Sequence, residues 1–256
     1  MTEDSIPKRS HPVDVRYDRG PHWRAQIAFV LIPNDDLIEG DMFRLAPPGV
    51  GIHFNRIPGV DECTAETLMA MEKDLAEAAS RFVCEDGLDV VCFACTSASA
   101  LIGEERVMAE LSRGAPNART TSLITGVIRA LRTLRAQRIV VATPYLDEIN
   151  ILEEKYLREQ GFDILDMQGM NIVSGAEMYR VTPEFIKEYA WSLDRPEADA
   201  IFISCGGLRS LEIIDALEQE VGKPVVASNQ AMFWDTIRLA GIDDKIEGYG
   251  QLLRLY

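Results

Sequence analysis

The sequence is poor in positive charge. It contains 26 Lys and Arg residues against 41 Asp and Glu residues, which gives a formal net charge of −15 at pH 7. Proteins that bind the phosphate backbone of nucleic acids or an anionic membrane surface need clustered Lys and Arg side chains. We therefore predict neither a nucleic acid nor a membrane as partner. A small anionic substrate remains compatible with this charge, because it responds to the local field of its site.

Long apolar runs are missing as well. No run approaches the roughly 20 residues that span a bilayer, and the polar start "MTEDSIPKRSHPVDVRYDRG" lacks the apolar core of a signal peptide. These two features predict a cytoplasmic protein. The five cysteines are an odd number without dense spacing, which favours free thiols over a disulfide framework.

Cofactor motifs are also lacking. The three histidines, His11, His22 and His53, lie in the N-terminal segment or outside any recognisable catalytic or metal-ligand spacing. No Walker A loop and no GxGxxG motif follows a predicted strand, so nucleotide binding has no support. We predict a protein with no metal site and no cofactor.

Short apolar runs alternate with helical patterns along most of the chain. The predicted strands include "AQIAFVLIP", "LDVVCFAC", "RIVVATPY", "ADAIFISC" and "KPVVASNQ". Between them lie amphipathic segments such as "TAETLMAMEKDLAEAASRFV", read as one helix, and a helix with Thr182 as its N-cap and Pro183 in its first turn. This alternation predicts an α/β fold with parallel sheets covered on both faces.

A weak internal repeat divides the chain into two halves. Pro33 and Pro144 follow similar apolar runs, and their separation nearly equals that of Cys95 and Cys205. We predict two similar lobes: residues 23–125 with 228–256 form lobe one, residues 126–227 form lobe two, and residues 1–22 are an N-terminal tail. Because ligands of open α/β sheets bind beyond the carboxyl ends of the strands, the site is expected in a cleft between the lobes.

A cysteine follows a buried strand in each half, in "VVCFACTSASAL" and "AIFISCGGLRSL". The sequence suggests that each cysteine precedes a helix, whose N-terminus would lower the pKa of the thiol. Two thiols that face one carbon atom can move a proton from one side of it to the other. Alternatively, one thiolate can add to a double bond, allow rotation and leave again.

Both routes pass through an enolate-like carboxylate that needs hydrogen-bond donors. The candidates for this role are Thr96, Ser97, Tyr145 and Asn34, together with the backbone at Gly206 and Gly207. The other cysteines are interpreted differently. Cys92 and Cys95 form a C-x-x-C motif, which could indicate a redox pair. Their odd separation in a strand argues against this, because it points Cys92 to the opposite face of the sheet. Cys63 and Cys84 are interpreted as incidental thiols.

The motifs "PND", "CTSAS", "TPY", "SCGGL" and "GKPVVASNQAMFW" resemble, in order and spacing, the aspartate/glutamate racemase superfamily. The resemblance is to its branch of maleate isomerases, arylmalonate decarboxylases and ectoine-utilisation protein A. It implies two Rossmann-like lobes related by pseudo-twofold symmetry, a cofactor-independent site between them, and a homo-oligomer, a dimer or larger.

The resemblance also implies roles. Cys95 and Cys205 match the catalytic cysteines of isomerases and racemases; Thr96, Ser97 and Tyr145 match carboxylate-holding positions, and Asn34 matches an early Asn of maleate isomerases. Arylmalonate decarboxylase is similar but carries glycine where Cys95 stands, which favours an isomerase or racemase. Gly175 stands where maleate isomerases carry a further Asn, with Asn171 as the nearest substitute, which argues against maleate.

Three functions follow in order of preference. The first is a two-cysteine isomerase or racemase of a small carboxylic acid. The second is a decarboxylase of a malonate-like acid, in which Cys205 protonates the intermediate that remains after CO2 leaves. The third is a small-molecule-binding module without turnover, in which the cysteines would be unreactive.

Overall fold

The fold consists of two parallel sheets with helices on their faces. The computed structural model describes residues 10–84 and 87–256, so part of the predicted tail lies outside the described residues. Within 10–22 there is no helix or strand, and the first strand begins at Ala25. None of the helices described is long and apolar enough to cross a membrane.

Each sheet contains four strands in the same order. The first sheet has the order β2-β1-β3-β4 and the second β6-β5-β7-β8, and every pairing within them is parallel. The strands are β1 Ala25–Leu31, β2 Val50–Arg56, β3 Val90–Phe93, β4 Arg119–Ser122, β5 Arg138–Thr143, β6 Asp163–Gly169, β7 Ala200–Ile203 and β8 Val225–Ala227. The repeated order confirms the prediction of two similar α/β lobes.

Helices lie between successive strands, and two more follow the last strand. They are α1 Ile38–Leu45, α2 Ala65–Met69, α3 Glu72–Ser80, α4 Thr96–Ile102, α5 Glu104–Gly114, α6 Leu123–Thr133, α7 Asp147–Glu159, α8 Gly175–Met178, α9 Pro183–Ser192, α10 Ile214–Val221, α11 Ser228–Leu239 and α12 Gly250–Leu255. The N-terminus of α9 confirms the sequence prediction, because the Thr182 side chain accepts a hydrogen bond from the Phe185 amide and Pro183 occupies the first turn.

The central strands β1, β3, β5 and β7 form the core of each lobe. Phe29, Phe93 and Phe202, one from each of three of these strands, are fully buried. Strands buried on both faces read as continuous apolar runs, which is why these four are visible in the sequence. Their carboxyl ends lie at the same edge of each sheet, where the chain leaves the strands and forms the loops of the site.

One helix prediction was wrong. The segment 64–83 was expected to form one helix, but it forms α2 and α3, which are separated at Ala70 and Met71. The segment is nevertheless amphipathic, and its apolar residues Leu68, Met71 and Leu75 are buried. Leu68 and Met71, which lie at or beside the break, both line the wall of the cleft.

Candidate active site

The predicted site residues all line one cleft. It has a volume of about 540 Å³, which includes its open mouth. Its walls contain Asn34, Cys95, Thr96, Ser97, Tyr145, Cys205, Gly206 and Gly207. The cleft therefore brings together residues that follow β1 and β3 of the first sheet and β5 and β7 of the second. Asn171, considered as a substitute for an amide at position 175, is exposed and is absent from the lining.

Cys95 lies at the start of a helix, as the sequence predicted. It is the N-cap of α4, in extended backbone with φ −141°, and its Sγ is 3.8 Å from the Ser97 Oγ. Burial raises the pKa of the Cys95 thiol to about 11, opposed by the backbone N–H of Ala98 and by the Ser97 hydroxyl. The expected lowering by the helix is thus present, but desolvation outweighs it.

Cys205 lies in a different backbone environment. No helix follows it directly, contrary to the sequence prediction, since α10 begins only at Ile214. Its φ is 103°, in the region that favours glycine. The Gly207 amide donates to the Cys205 Sγ at 3.2 Å. Burial raises the pKa of this thiol to about 12, opposed by the Tyr145 hydroxyl and the Gly207 N–H.

The expectation of acidic thiols was therefore wrong, because burial raises the pKa of both. Both cysteines are about nine-tenths shielded from solvent, at 8% exposure each, and loss of hydration penalises a thiolate more than the nearby donors stabilise it. Both thiols are protonated at neutral pH. A thiolate formed here would be a strong base because its conjugate acid is weak.

Hydroxyl donors surround the thiols. Thr96, Ser97 and Tyr145 are buried beside the cysteines. Burial raises the pKa of Tyr145 well above its usual value, so its phenol keeps its proton and can donate a hydrogen bond. Asn34 has a different partner: its Nδ2 donates to the Asp61 Oδ1 at 2.5 Å.

Two residues after β8 support both cysteine loops, and sequence reasoning missed them. The buried Ser228 Oγ lies 3.1 Å from the Thr96 Oγ1. It also accepts a hydrogen bond from the backbone amide of Cys205 at 3.0 Å. The Asn229 Nδ2 donates to the Gly206 carbonyl at 3.0 Å and to the Asp41 Oδ2 at 2.9 Å. The available signal was the pair of polar residues in "VVASNQ", placed after an apolar strand as in the two cysteine motifs.

A third thiol also lines the cleft. Cys63 was interpreted as incidental, but it faces the site close to Ser97. Burial raises the pKa of its thiol, and the nearby Cys95 and Cys205 act in the same direction. Cys92 is fully buried within β3 and does not line the cleft, in accord with its predicted orientation. All five cysteines are free thiols.

A buried carboxyl group lies behind the second cysteine loop. Glu153 in α7 is fully buried, and its Oε1 accepts the Ser204 hydroxyl at 2.6 Å. Its Oε2 has no hydrogen-bond partner among the described residues. Burial raises the pKa of Glu153 to about 7, opposed by the Ser204 hydrogen bond. A negative charge on Glu153 would raise the pKa of both Cys95 and Cys205.

Comparison with known proteins places this site in a family. The family model described as arylmalonate decarboxylase matches residues 51–253, which include both cysteine loops. The chain belongs to the arylmalonate decarboxylase family. It is 31% identical to arylmalonate decarboxylase of Bordetella bronchiseptica over 231 residues, which cover 88% of this chain and 95% of that protein.

Isomerases are similar to this chain as well. It is 30% identical to maleate isomerase of Nocardia farcinica over 174 residues, 65% of this chain and 69% of that protein. A solved structure of a maleate cis-trans isomerase variant of Nocardia farcinica, with a covalently bound succinylcysteine intermediate, superposes with a TM-score of 0.82 at 25% identity. That superposition covers 91% of this chain and 99% of the other. The similar proteins are thus enzymes of two kinds, isomerases and a decarboxylase.

Proposed function

We propose that this protein is a cofactor-independent isomerase or racemase of a small carboxylic acid, with Cys95 and Cys205 as its catalytic pair. The observation that carries the proposal is the presence of a thiol from each lobe in one cleft. A single acid or base at one wall returns a proton to the face from which it came unless the planar intermediate turns over in the site. Two groups on different walls can take a proton from one face and supply another at the opposite face.

The hydroxyl groups beside the thiols support the proposal, because they can bind the carboxylate of the substrate. A substrate carboxylate between Thr96, Ser97 and Tyr145 would accept hydrogen bonds from their hydroxyl groups. Removal of the α-proton converts the carboxylate into an enediolate, whose added negative charge these fixed donors would stabilise. Gly206 and Gly207 expose backbone beside Cys205, so the substrate can approach closely.

In the proposed racemisation, a thiolate at one cysteine takes the α-proton, so a C–H bond breaks and an S–H bond forms. The thiol at the other cysteine then gives its proton to the opposite face of the same carbon. The products are the mirror-image acid and a pair of cysteines with exchanged protonation. Because burial raises the pKa of Cys95 to about 11 and of Cys205 to about 12, turnover should rise with pH above neutrality.

The test is proton NMR in D2O of a panel of small acids: maleate, amino- and hydroxy-dicarboxylates, 2-substituted propanoates and substituted malonates. Wild type is compared with Cys95→Ala and Cys205→Ala. Solvent deuterium at an α-carbon, or conversion of a cis to a trans double bond, lost in both variants, would support the proposal. Ligand binding without any conversion in the panel would favour the binding module instead.

A decarboxylase is the second candidate, and the family relationship favours it. The relative that is 31% identical over 88% of this chain is a decarboxylase. In that reaction one carboxylate leaves as CO2, and Cys205 would protonate the remaining enediolate. Release of CO2 from a malonate that survives Cys95→Ala but not Cys205→Ala would establish this activity in place of isomerisation.

A further inference from the structure

One edge of the cleft is formed by contacts between a segment of lobe one, residues 60–63, and a segment of lobe two, residues 173–176. The Cys63 amide donates to the Val173 carbonyl at 3.2 Å, and the Gly175 amide donates to the Asp61 carbonyl at 3.3 Å. Glu62 and Ser174 also form an isolated antiparallel bridge. Backbone hydrogen bonds therefore join the two lobes at this edge of the cleft.

The side chain of Asp61 makes hydrogen bonds to both lobes at this edge. Its Oδ2 accepts the Ser174 hydroxyl at 2.6 Å, and its Oδ1 accepts the Ala176 amide at 3.2 Å and the Asn34 Nδ2 at 2.5 Å. These donors, with Ser174 the strongest, lower the pKa of Asp61, so it carries a negative charge at neutral pH. The Asn34 side-chain amide is therefore hydrogen-bonded to a negatively charged carboxylate.

The glycine at position 175 fits this arrangement. A Cβ atom there would lie 2.2 Å from the Asn34 Nδ2 and 3.2 Å from the Asp61 Oδ1. Any side chain at this position would displace the Asn34 amide from Asp61. The Asn34–Asp61 pair and Gly175 therefore form one unit of structure.

A second carboxyl group lies near this edge of the cleft. Asp35 lines the cleft and is 5% exposed. Its Oδ1 accepts the Ile38 amide at 3.2 Å, whereas its Oδ2 has no hydrogen-bond partner among the described residues and is 4.0 Å from the Arg56 guanidinium. Glu62 is a third acidic lining residue, and the described lining contains no Lys, Arg or His.

We propose that Asp61 is a specificity-determining residue that excludes substrates with a second carboxylate at the end remote from the reacting carbon. The substrate class is then a monocarboxylate whose remote end carries a neutral hydrogen-bond donor, such as an amide, that can pair with Asp61 or Asp35. This inference rests on the proposed function, because it assumes that the first carboxylate lies among the hydroxyls of Thr96, Ser97 and Tyr145.

Succinate and succinamate form a matched pair of probes, because they have the same shape and differ only in a remote carboxylate or amide. Their binding to the cleft is measured as protection of Cys95 and Cys205 from alkylation by iodoacetamide, followed peptide by peptide by mass spectrometry. For wild type we expect succinamate to bind about fivefold more tightly than succinate, since Asp61 is exposed and one solvent-screened charge contact is worth at most about 1 kcal/mol.

Asp61→Asn removes the charge and keeps the shape of the side chain. It should bring the affinities of the two probes to within about 1.5-fold of each other, mainly through tighter succinate binding. Asp36→Asn is the matched control: it makes the same change at an exposed residue that does not line the cleft, and should leave the wild-type ratio within about twofold. Thermal unfolding establishes that both variants fold.

Two results would overturn the inference while leaving the proposed function intact: equal binding of the two probes by wild type, or an unchanged ratio in a folded Asp61→Asn variant. If neither probe protects the thiols in wild type or in Asp61→Asn, the carboxylate site itself is wrong. The proposed function and the inference then fail together.

Discussion

The two cysteine loops occupy equivalent places in two similar sheets, yet they are built differently. Cys95 has extended backbone and caps a helix directly, whereas Cys205 has a φ of 103° and is followed by two glycines and a turn. The residue before each cysteine differs too: Ala94 is apolar, while Ser204 donates to the buried Glu153. Equivalent topology thus places two thiols in one cleft, and local backbone gives each its own support.

Of the two cysteines, only Cys205 has a strained backbone conformation. A non-glycine residue with φ near +100° costs of order 1–3 kcal/mol, and such residues cluster at functional sites. The strain at Cys205 is compatible with a requirement for a thiol at that point, since glycine would relieve it but could not react. Cys95 carries no such cost, so its position is determined by the start of α4.

The largest effect should come from removal of either thiol. Cys95→Ala and Cys205→Ala should each reduce isomerisation or racemisation by about 1000-fold, because each removes one of the two proton-transfer groups. The measurement is kcat/KM for the substrate identified in the panel. Cys84→Ala, which removes a thiol that does not line the cleft, is the control and should keep wild-type activity.

The next prediction is a pH-dependent change in stability at Glu153, which supports only the Cys205 loop through Ser204. Burial raises the pKa of Glu153 from 4.5 to about 7. The folded state therefore binds the proton more tightly than the unfolded state does. The stability that protonated Glu153 contributes is full below pH 4.5 and is lost as the pH rises through about 7. Glu153→Gln keeps the acceptor for Ser204 and has no charge. It should therefore stabilise the protein by about 2 kcal/mol more at pH 8.5 than at pH 5.5.

Urea unfolding at the two pH values checks this expectation. Glu154→Gln, in the adjacent and more exposed position of α7, is the control and should show a smaller difference. An equal effect of Glu153→Gln at both pH values would mean that the carboxylate is not destabilised by burial.

Ser228 tests whether the two loops depend on each other. Ser228→Ala removes the acceptor of the buried Cys205 amide and the partner of the Thr96 hydroxyl. A buried donor left without a partner costs about 1–3 kcal/mol, and we expect that loss of stability together with about tenfold lower activity.

Ser210→Ala is the control for Ser228. It removes a buried hydroxyl that donates to the Leu208 carbonyl and does not line the cleft. It should lower stability without a matching loss of activity. If Ser228→Ala also keeps full activity, the link between the loops is structural only.

The smallest effect is a direct comparison of the backbones. At position 205, Cys205→Gly should be more stable than Cys205→Ala by about 1–2 kcal/mol, because glycine accepts a positive φ without strain. At position 95 the Gly and Ala variants should differ by less than about 0.5 kcal/mol, because the preference for Gly at an N-cap offsets its greater freedom in the unfolded chain. Equal Gly–Ala differences at both positions would contradict the assigned strain.

Much of this architecture could be predicted from sequence, because the central strands and the two cysteine motifs are apolar runs with distinct ends. The edge strands β2 and β6 were missed: "VGIHFNR" and "DILDMQG" are polar and only partly buried, as edge strands are. The break between α2 and α3 was missed because the apolar stripe continues across it.

The residues of the site could be predicted from sequence, but the pKa values of the two thiols could not. Cys95 and Cys205 were visible at strand ends, but their raised pKa values depend on burial by distant residues, which no local pattern reports. The roles of Cys63, Asp61 and Ser228 depend on contacts between segments far apart in the chain. Such contacts are determined by the packing of the two lobes.

The most direct test of the central claim, that the two thiols act on opposite faces of one carbon, is stereochemical. Each enantiomer of a racemised substrate is incubated separately in D2O with wild type, Cys95→Ala and Cys205→Ala, and deuterium uptake and inversion are followed together. The account predicts inversion with deuterium uptake in wild type and no inversion in either variant. Inversion at the wild-type rate in one of the variants would contradict it.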